Sequence, residues 1–137
     1  MFCRVKRQQT ILKKNMSTTV MVVENEVFVL EALEDILGSI GVVSIGAMSG
    51  QDGLKIFRKH HQSIDLVILD MNLPGMDGAE VLRLLRQVKP QVKVIISSGY
   101  DERDIERQLG DQPLPTILRK PFTAQMLLDR VKNELEG

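Results

Sequence analysis

The sequence contains a single cysteine, Cys3, and no long run of apolar residues. One cysteine cannot supply a disulfide framework or a cysteine-based metal site, so we expect a protein of a reducing compartment, the cytoplasm. Because no apolar stretch approaches the roughly twenty residues that cross a bilayer, we also expect no membrane span. The chain has 137 residues, of which 43% are apolar, and this is enough for the core of one small domain.

The formal net charge is zero, but the charges are unevenly distributed. Residues 1–19 carry five basic side chains and no acidic one, and the remaining 118 residues carry 13 basic and 18 acidic side chains, a net charge of −5. We predict that residues 1–18 form a basic extension, disordered or partly helical, and that residues 19–137 form the folded domain. An alternative interpretation is that translation starts at Met16, just before the first predicted strand, and that residues 1–15 do not belong to the native protein. Because the folded part is acidic and lacks a groove-reading helix, we expect no direct nucleic-acid partner.

Asp70 follows an apolar run that has no polar alternation, Leu66–Leu69. Such a run predicts a strand that is covered on both faces, as in a parallel sheet with helices on each side. In these sheets, ligands and chemistry are found in the crevice beyond the carboxyl ends of the strands. An aspartate before a Pro-Gly turn can also simply bond local backbone, and three further strand ends favour the functional interpretation.

Polar side chains follow the other predicted strands as well. The apolar run Val20–Val23 ends at Glu24 and Asn25, the run from Val94 ends at Ser98 and Gly99, and the run from Thr116 leads to Lys120 and Pro121. Each of these residues alone has a structural explanation. Together they place carboxylates, a hydroxyl and an amine at one edge of the predicted sheet, and this combination favours a reactive site.

Helical periodicity between the strands completes the pattern. We predict helices from about Val27 to Gly38, after a cap at Ser49 to His60, from Asp77 or Gly78 to before Pro90, from Asp101 to Leu109 and after a cap at Thr123, with a short strand at Val42–Ile45. The fourth helix has only Ile105 and Leu109 to bury. Five strand–helix units in strict alternation indicate a doubly wound α/β domain with right-handed crossovers.

From Thr19 to Gly137 the chain resembles a response-regulator receiver domain of two-component signalling. The resemblance rests on Asp70 with the turn Leu73–Gly78, on the pair Ser98 and Gly99, and on Lys120–Phe122. It implies a flavodoxin-like five-stranded sheet of order 2-1-3-4-5. It also implies that Asp70 accepts a phosphoryl group and that Ser98, Gly99 and Lys120 contact that group. The bond between Lys120 and Pro121 would be cis.

The resemblance implies partners and a cofactor too. A histidine kinase or a histidine phosphotransfer protein would donate the phosphoryl group, and Mg²⁺ would assist. Glu24, Asp70 and the backbone carbonyl of Asn72 are oxygen ligands suited to this hard cation. The signal would leave through a face made of the fourth helix, fifth strand and fifth helix, and a homodimer is an open alternative. We expect slow loss of the phosphoryl group and no turnover of a separate substrate.

Two positions depart from the family pattern. Asn25 stands where the family usually has an acidic metal ligand, so we expect Mg²⁺ to bind weakly. Ile117 stands where many relatives carry an aromatic side chain that swings inward. Tyr100 is an aromatic side chain near the site but at a different position, where it would shield an aspartyl phosphate from water.

Three functional classes therefore compete. The leading one is a binding switch controlled by phosphorylation, and the second is a pseudo-receiver, a constitutive interaction module with weak or no phosphorylation. The third is a phosphatase with an aspartate nucleophile, but that class needs an acid two residues later, where this chain has Asn72. The sequence identifies neither the cognate kinase nor the output, and a stand-alone protein and a part of a hybrid kinase fit it equally.

Overall fold

The computed structural model describes residues 18–137, so the prediction for the basic extension concerns residues that lie, but for Thr18, outside the described part of the chain. Five strands alternate with five helices, as the sequence predicts. The strands are β1 (Thr19–Val23), β2 (Val43–Ala47), β3 (Leu66–Asp70), β4 (Val94–Ser98) and β5 (Thr116–Arg119). The helices are α1 (Val27–Gly38), α2 (Gly50–His60), α3 (Gly78–Val88), α4 (Glu102–Leu109) and α5 (Ala124–Glu136).

All strand pairs are parallel, and the order across the sheet is β2-β1-β3-β4-β5. This confirms the predicted doubly wound fold. The register pairs Val23 with Leu69 and Asp70 with Ser97, so the carboxyl ends of β1, β3 and β4 lie at the same edge of the sheet. The residues that follow these three strands therefore share one crevice.

The uninterrupted apolar character of the central strands has the predicted cause, since both faces of the sheet are covered. Every residue of β3 and β4 is buried. Alternate strand residues pack with α2, α3 and α4 on one face and with α1 and α5 on the other. Each large aliphatic side chain removed from water in this way contributes roughly 1.5–3 kcal/mol. The site thus lies at the end of the buried central strands.

The ends of the helices follow local side-chain chemistry. Ser49, Asp77, Asp101 and Thr123 each accept a hydrogen bond from a backbone N–H in the first turn of the helix that follows. These caps satisfy donors that have no partner inside the helix. The predicted starts of α2, α3 and α5 are confirmed, and the predicted start of α4 at Asp101 is its cap.

The second strand differs from its prediction over Val42–Ile45. Pairing with β1 begins at Val43 and continues through Gly46 and Ala47. Gly46 lies under α1, where a Cβ atom would come within 3.0 Å of a Leu30 methyl group. Gly46, the residue after the predicted strand, therefore belongs to β2. Its lack of a side chain allows α1 to approach the strand closely.

Helix α4 is short and buries only Ile105 and Leu109, as the sequence predicts. It ends at Gly110, whose φ of 64° is a conformation that favours glycine. None of the helices within residues 18–137 combines the length and the apolar character needed to traverse a bilayer.

Candidate functional site

Three strand ends bring two carboxylates and one ammonium group together. The Nζ atom of Lys120 lies 3.3 Å from Oδ1 of Asp70 and 3.7 Å from Oε1 of Glu24. Asp70 is 3% exposed and Glu24 is 2% exposed, whereas a third of the Lys120 side chain is exposed. Buried charges at such distances interact more strongly than charges in water, so the three side chains form one electrostatic unit.

Backbone N–H groups fix both carboxylates. The N–H of Asn72 donates to Oδ1 of Asp70 at 3.0 Å, and the N–H of Glu26 donates to Oε2 of Glu24 at 3.1 Å. Each carboxylate thus accepts a bond from the residue two positions later. The local role expected of an aspartate before a turn is present at Asp70, and the contact with Lys120 exists in addition to it.

The environment of Glu24 disfavours its negative charge. Burial raises the pKa of the Glu24 carboxyl, and the neighbouring carboxylate of Asp70 raises it further. The N–H of Glu26 and the charge of Lys120 act in the opposite direction, with the smaller combined effect. Oε1 of Glu24 is buried and accepts no hydrogen bond from the described residues. Its cationic neighbour is the Lys120 ammonium group at 3.7 Å, which is too far for a hydrogen bond.

Ser98 and Lys120 are joined through the backbone. The N–H of Lys120 donates to the carbonyl oxygen of Ser98 at 2.7 Å. Ser98 is fully buried at the end of β4, and its Oγ accepts a bond from the N–H of Tyr100 at 2.9 Å. Gly99 and Tyr100 between β4 and α4 are exposed. The edge of the sheet therefore carries the carboxylates, the amine and the hydroxyl that the sequence predicts there.

The remaining predicted residues surround this group. The bond between Lys120 and Pro121 is cis, as the resemblance implies. Asn25 is half-buried directly after Glu24, and Asn72 is exposed in the loop after β3. Ile117 is half-buried, pairs with Ile96 and packs against the core.

The carboxylate oxygens of Glu24 and Asp70 are ligands of the kind that a hard divalent cation takes, but they are few. The charges of Glu24 and Asp70 repel each other, and Oε1 of Glu24 accepts no hydrogen bond within the part of the chain that the structure describes. Carboxylate and carbonyl oxygens are the ligands that Mg²⁺ takes. Within residues 18–137, no three Asp, Glu, His or Cys side chains gather in a way that could hold a metal ion.

Apart from Tyr100, the exposed apolar side chains at the site edge of the sheet were not predicted. Within residues 18–137, five of the seven exposed large apolar side chains follow the carboxyl ends of strands, and we call them the apolar rim: Val27, Phe28, Met48, Tyr100 and Met126. Phe28, in the first turn of α1, is 82% exposed. The sequence did contain a signal, since Val27–Leu30 is a run of four apolar residues, more than one helix face can bury.

A groove of about 610 Å³ connects this rim to the site. Its walls are α1 and the loop after β5, and its lining includes Phe28, Ala32 and Ile36 on one side and Lys120, Pro121 and Phe122 on the other. The groove therefore presents an apolar surface that ends at the ammonium group beside Asp70.

Comparison with known proteins agrees with this geometry. Residues 20–132 match the response regulator receiver domain family. The chain belongs to this family. Sporulation initiation phosphotransferase F of Bacillus subtilis is 30% identical over 120 residues, which cover 88% of this chain and 95% of that protein. The sensor kinase CckA of Brucella abortus is 37% identical over 120 residues, and there the chain spans only 13% of the longer protein.

A solved structure shows the same fold. The receiver domain protein from Clostridium thermocellum superposes with a TM-score of 0.79 at 31% identity, over 86% of this chain and 94% of that one. The present receiver domain thus has relatives that are little longer than itself and relatives in which the domain is one part of a sensor kinase.

Proposed function

We propose that this receiver domain accepts a phosphoryl group on Asp70 from a histidine kinase or a histidine phosphotransfer protein. The observation that carries the proposal is the buried Asp70 carboxylate at the open edge of the sheet, with the Lys120 ammonium 3.3 Å away. A phosphoryl group brings negative charge to a carboxylate that is itself negative, so transfer needs a positive group at this place. Lys120 supplies it.

In the proposed step an oxygen of Asp70 attacks phosphorus, a P–O bond forms, and the P–N bond to the donor histidine breaks. Oδ1 already accepts the Asn72 N–H and faces Lys120, so we expect the other carboxylate oxygen to attack. Lys120 then pairs with the phosphoryl oxygens. The product is an aspartyl phosphate that is slowly hydrolysed, and Tyr100 at the rim shields it from water.

The proposed cofactor is Mg²⁺, held by Glu24, Asp70, the backbone carbonyl of Asn72 and the amide oxygen of Asn25. A bound Mg²⁺ would neutralise charge on the transferred oxygens. The neutral amide of Asn25 gives the site one negative charge fewer than an aspartate would. Affinity for the cation should therefore be low for a site of this kind.

The apolar rim and its groove suit the phosphoryl donor. The phosphorus atom has to reach Asp70, so the surface around the donor histidine has to contact the rim. Exposed aromatic side chains such as Phe28 are common anchors in protein interfaces. We propose that the donor packs an apolar helix face against α1 and the loop after β5.

The output surface is proposed to be the face made of α4, β5 and α5. Exposed arginines occur on all three elements: Arg103 and Arg107 on α4, Arg119 on β5 and Arg130 on α5. Arg130 also links two of the elements, because its guanidinium donates to the carbonyl oxygen of Ile117 at 2.9 Å. A downstream protein would dock here in the cytoplasm, and pairing of two copies through this face is the alternative outcome.

Intact mass spectrometry after incubation with Mg²⁺ and a small acyl phosphate tests the proposal. We expect the wild-type chain to gain one phosphate and Asp70→Asn to gain none. Asp77→Asn is the matched control, because asparagine caps α3 as well as aspartate does and should leave the mass gain intact. A phosphate that persists on Asp70→Asn would disprove the assignment.

The second candidate is a pseudo-receiver, favoured by Asn25 and Ile117. It predicts that the wild-type chain stays unphosphorylated under these conditions while it still binds its partner. Recovery of the mass gain in Asn25→Asp would then identify the missing charge as the cause.

A further inference from the structure

The buried hydroxyl of Ser98, at the carboxyl end of β4, is bonded to the backbone of an exposed aromatic residue. Its Oγ accepts the N–H of Tyr100 at 2.9 Å, and the Tyr100 residue is 45% exposed on the apolar rim. A hydroxyl has one proton to donate and two lone pairs that accept. Ser98 can therefore donate to a phosphoryl oxygen while it still holds Tyr100.

The other route out of the site lacks a suitable side chain. Ile117 is aliphatic, has no polar side-chain atom that could follow Ser98, and is already packed against the core. Its strand neighbour Ile96 is fully buried. A movement of Ser98 consequently has no aromatic partner on β5 to displace.

The loop after β4 is exposed and loosely packed. At Gly99, a Cβ atom would meet nothing within 4 Å, and the residue is exposed. Asp101 caps α4 by accepting the N–H of Asp104 at 3.0 Å, so α4 moves with the end of the loop. Displacement of Tyr100 thus reaches a helix that is anchored by only two buried side chains.

We propose that Tyr100 is the relay residue of this receiver domain, in place of an aromatic side chain at Ile117. When the Ser98 hydroxyl donates a hydrogen bond to a phosphoryl group on Asp70, Oγ moves towards that group and draws the Tyr100 N–H along. The ring closes over the site, and its exposure falls. Tyr100 acts through Ser98 and is a positioning residue. This inference rests on the proposed phosphorylation of Asp70.

The composition of the chain makes the relay directly measurable. Tyr100 is the only tyrosine, and there is no tryptophan, so tyrosine emission reports this one side chain. The full chain is incubated with Mg²⁺ and a small acyl phosphate, and each sample is divided between intact mass spectrometry and quenching of emission by acrylamide. We expect a loss of quenching that follows the phosphorylated fraction.

Variants separate the relay from general effects on the fold. Ser98→Ala removes the acceptor, so phosphorylated protein should keep the quenching of the free form, and Ser98→Thr should restore the loss. Ser97→Ala is the matched control, since Ser97 is buried one residue earlier on β4 and should respond like the wild type. Thermal melts establish that each variant is folded. If Ser98→Ala does not fold, Ser98→Thr still tests the relay.

The outcomes distinguish the two proposals. If Asp70 gains phosphate and acrylamide quenching is unchanged or increased, the relay is wrong and the proposed function stands. If no phosphate is gained, both are wrong. A loss of quenching that persists in phosphorylated Ser98→Ala would also overturn the relay through Ser98.

Discussion

The two helices that follow the central strands of the site are anchored very differently. Helix α3, after Asp70, buries five of its eleven residues, whereas α4, after Ser98, buries two of its eight. We call Glu24, Asp70 and α3 the acidic half of the site, and Ser98, Tyr100 and α4 the hydroxyl half. In the acidic half, backbone N–H groups hold both carboxylates in place. In the hydroxyl half, an exposed loop at Gly99 and Tyr100 separates Ser98 from α4. The comparison suggests that chemistry and response occupy separate halves.

Hydrogen exchange should show the largest difference between the halves. We expect amides of α4 to exchange at least about a hundredfold faster than amides of α3, a gap of roughly 3 kcal/mol in opening free energy. Adding a phosphoryl mimic with Mg²⁺ should change protection from Gly99 to Leu109. Changes in protection confined to α1 or α2 would show that the response does not lie in the hydroxyl half.

Truncation of buried leucines should follow the same order. Leu82 on α3 is fully buried, and Leu82→Ala should lower the free energy of unfolding by about 3 kcal/mol. Leu109→Ala should cost less, about 1–2 kcal/mol, because the short α4 can open around the cavity. Urea denaturation measures both, and the half-buried Leu84→Ala is the control on α3. Equal losses at Leu82 and Leu109 would argue against a weakly anchored α4.

A charge added to the acidic half should strengthen metal binding. One unit charge about 4 Å from a divalent ion is worth roughly 8 kcal/mol at an effective dielectric near 20, and the cost of desolvating both charges removes most of this. We therefore expect Asn25→Asp to bind Mg²⁺ roughly tenfold more tightly, about 1.4 kcal/mol by calorimetric titration. Asn133→Asp adds the same charge on α5 and should have no effect. Equal or weaker affinity in Asn25→Asp would mean that Asn25 does not face the metal.

The smallest effect should be the response of Glu24 to pH. The folded-state pKa of Glu24 is raised by burial and by Asp70, so the native state binds its proton more tightly than the unfolded state. The favourable contribution is complete below the unfolded pKa, near 4.3, and is lost as the pH rises through the folded value.

Without metal at pH 7, Glu24→Gln should therefore be more stable than the wild type, by on the order of 1 kcal/mol. The advantage should shrink as the pH falls towards 4. Urea melts at several pH values in the presence of a chelator measure it, with the exposed Glu31→Gln on α1 as control. An advantage that grows on acidification would contradict the direction of the shift.

Much of the site could be predicted because its residues follow strands. The apolar runs before Glu24, Asp70 and Ser98 are local patterns, and parallel strands bring their carboxyl ends to one edge. The full length of β2 could not be predicted, because a glycine usually weakens a strand pattern. Only the packing of α1 against Gly46 explains why the strand continues through it. The apolar rim was missed because the apolar run Val27–Leu30 indicates that some of its side chains are exposed but does not indicate which ones.

The sequence by itself determined the alternation of strands and helices, the identity of the residues at the strand ends and the neutral Asn25 among them. These follow from periodicity and composition, which act over a few neighbouring residues. Only the tertiary structure decided that Lys120 reaches both carboxylates, that burial disfavours the charge of Glu24, and that Ser98 holds Tyr100. Such distances and pKa shifts depend on strand register, burial and loop geometry, which local pattern alone does not specify.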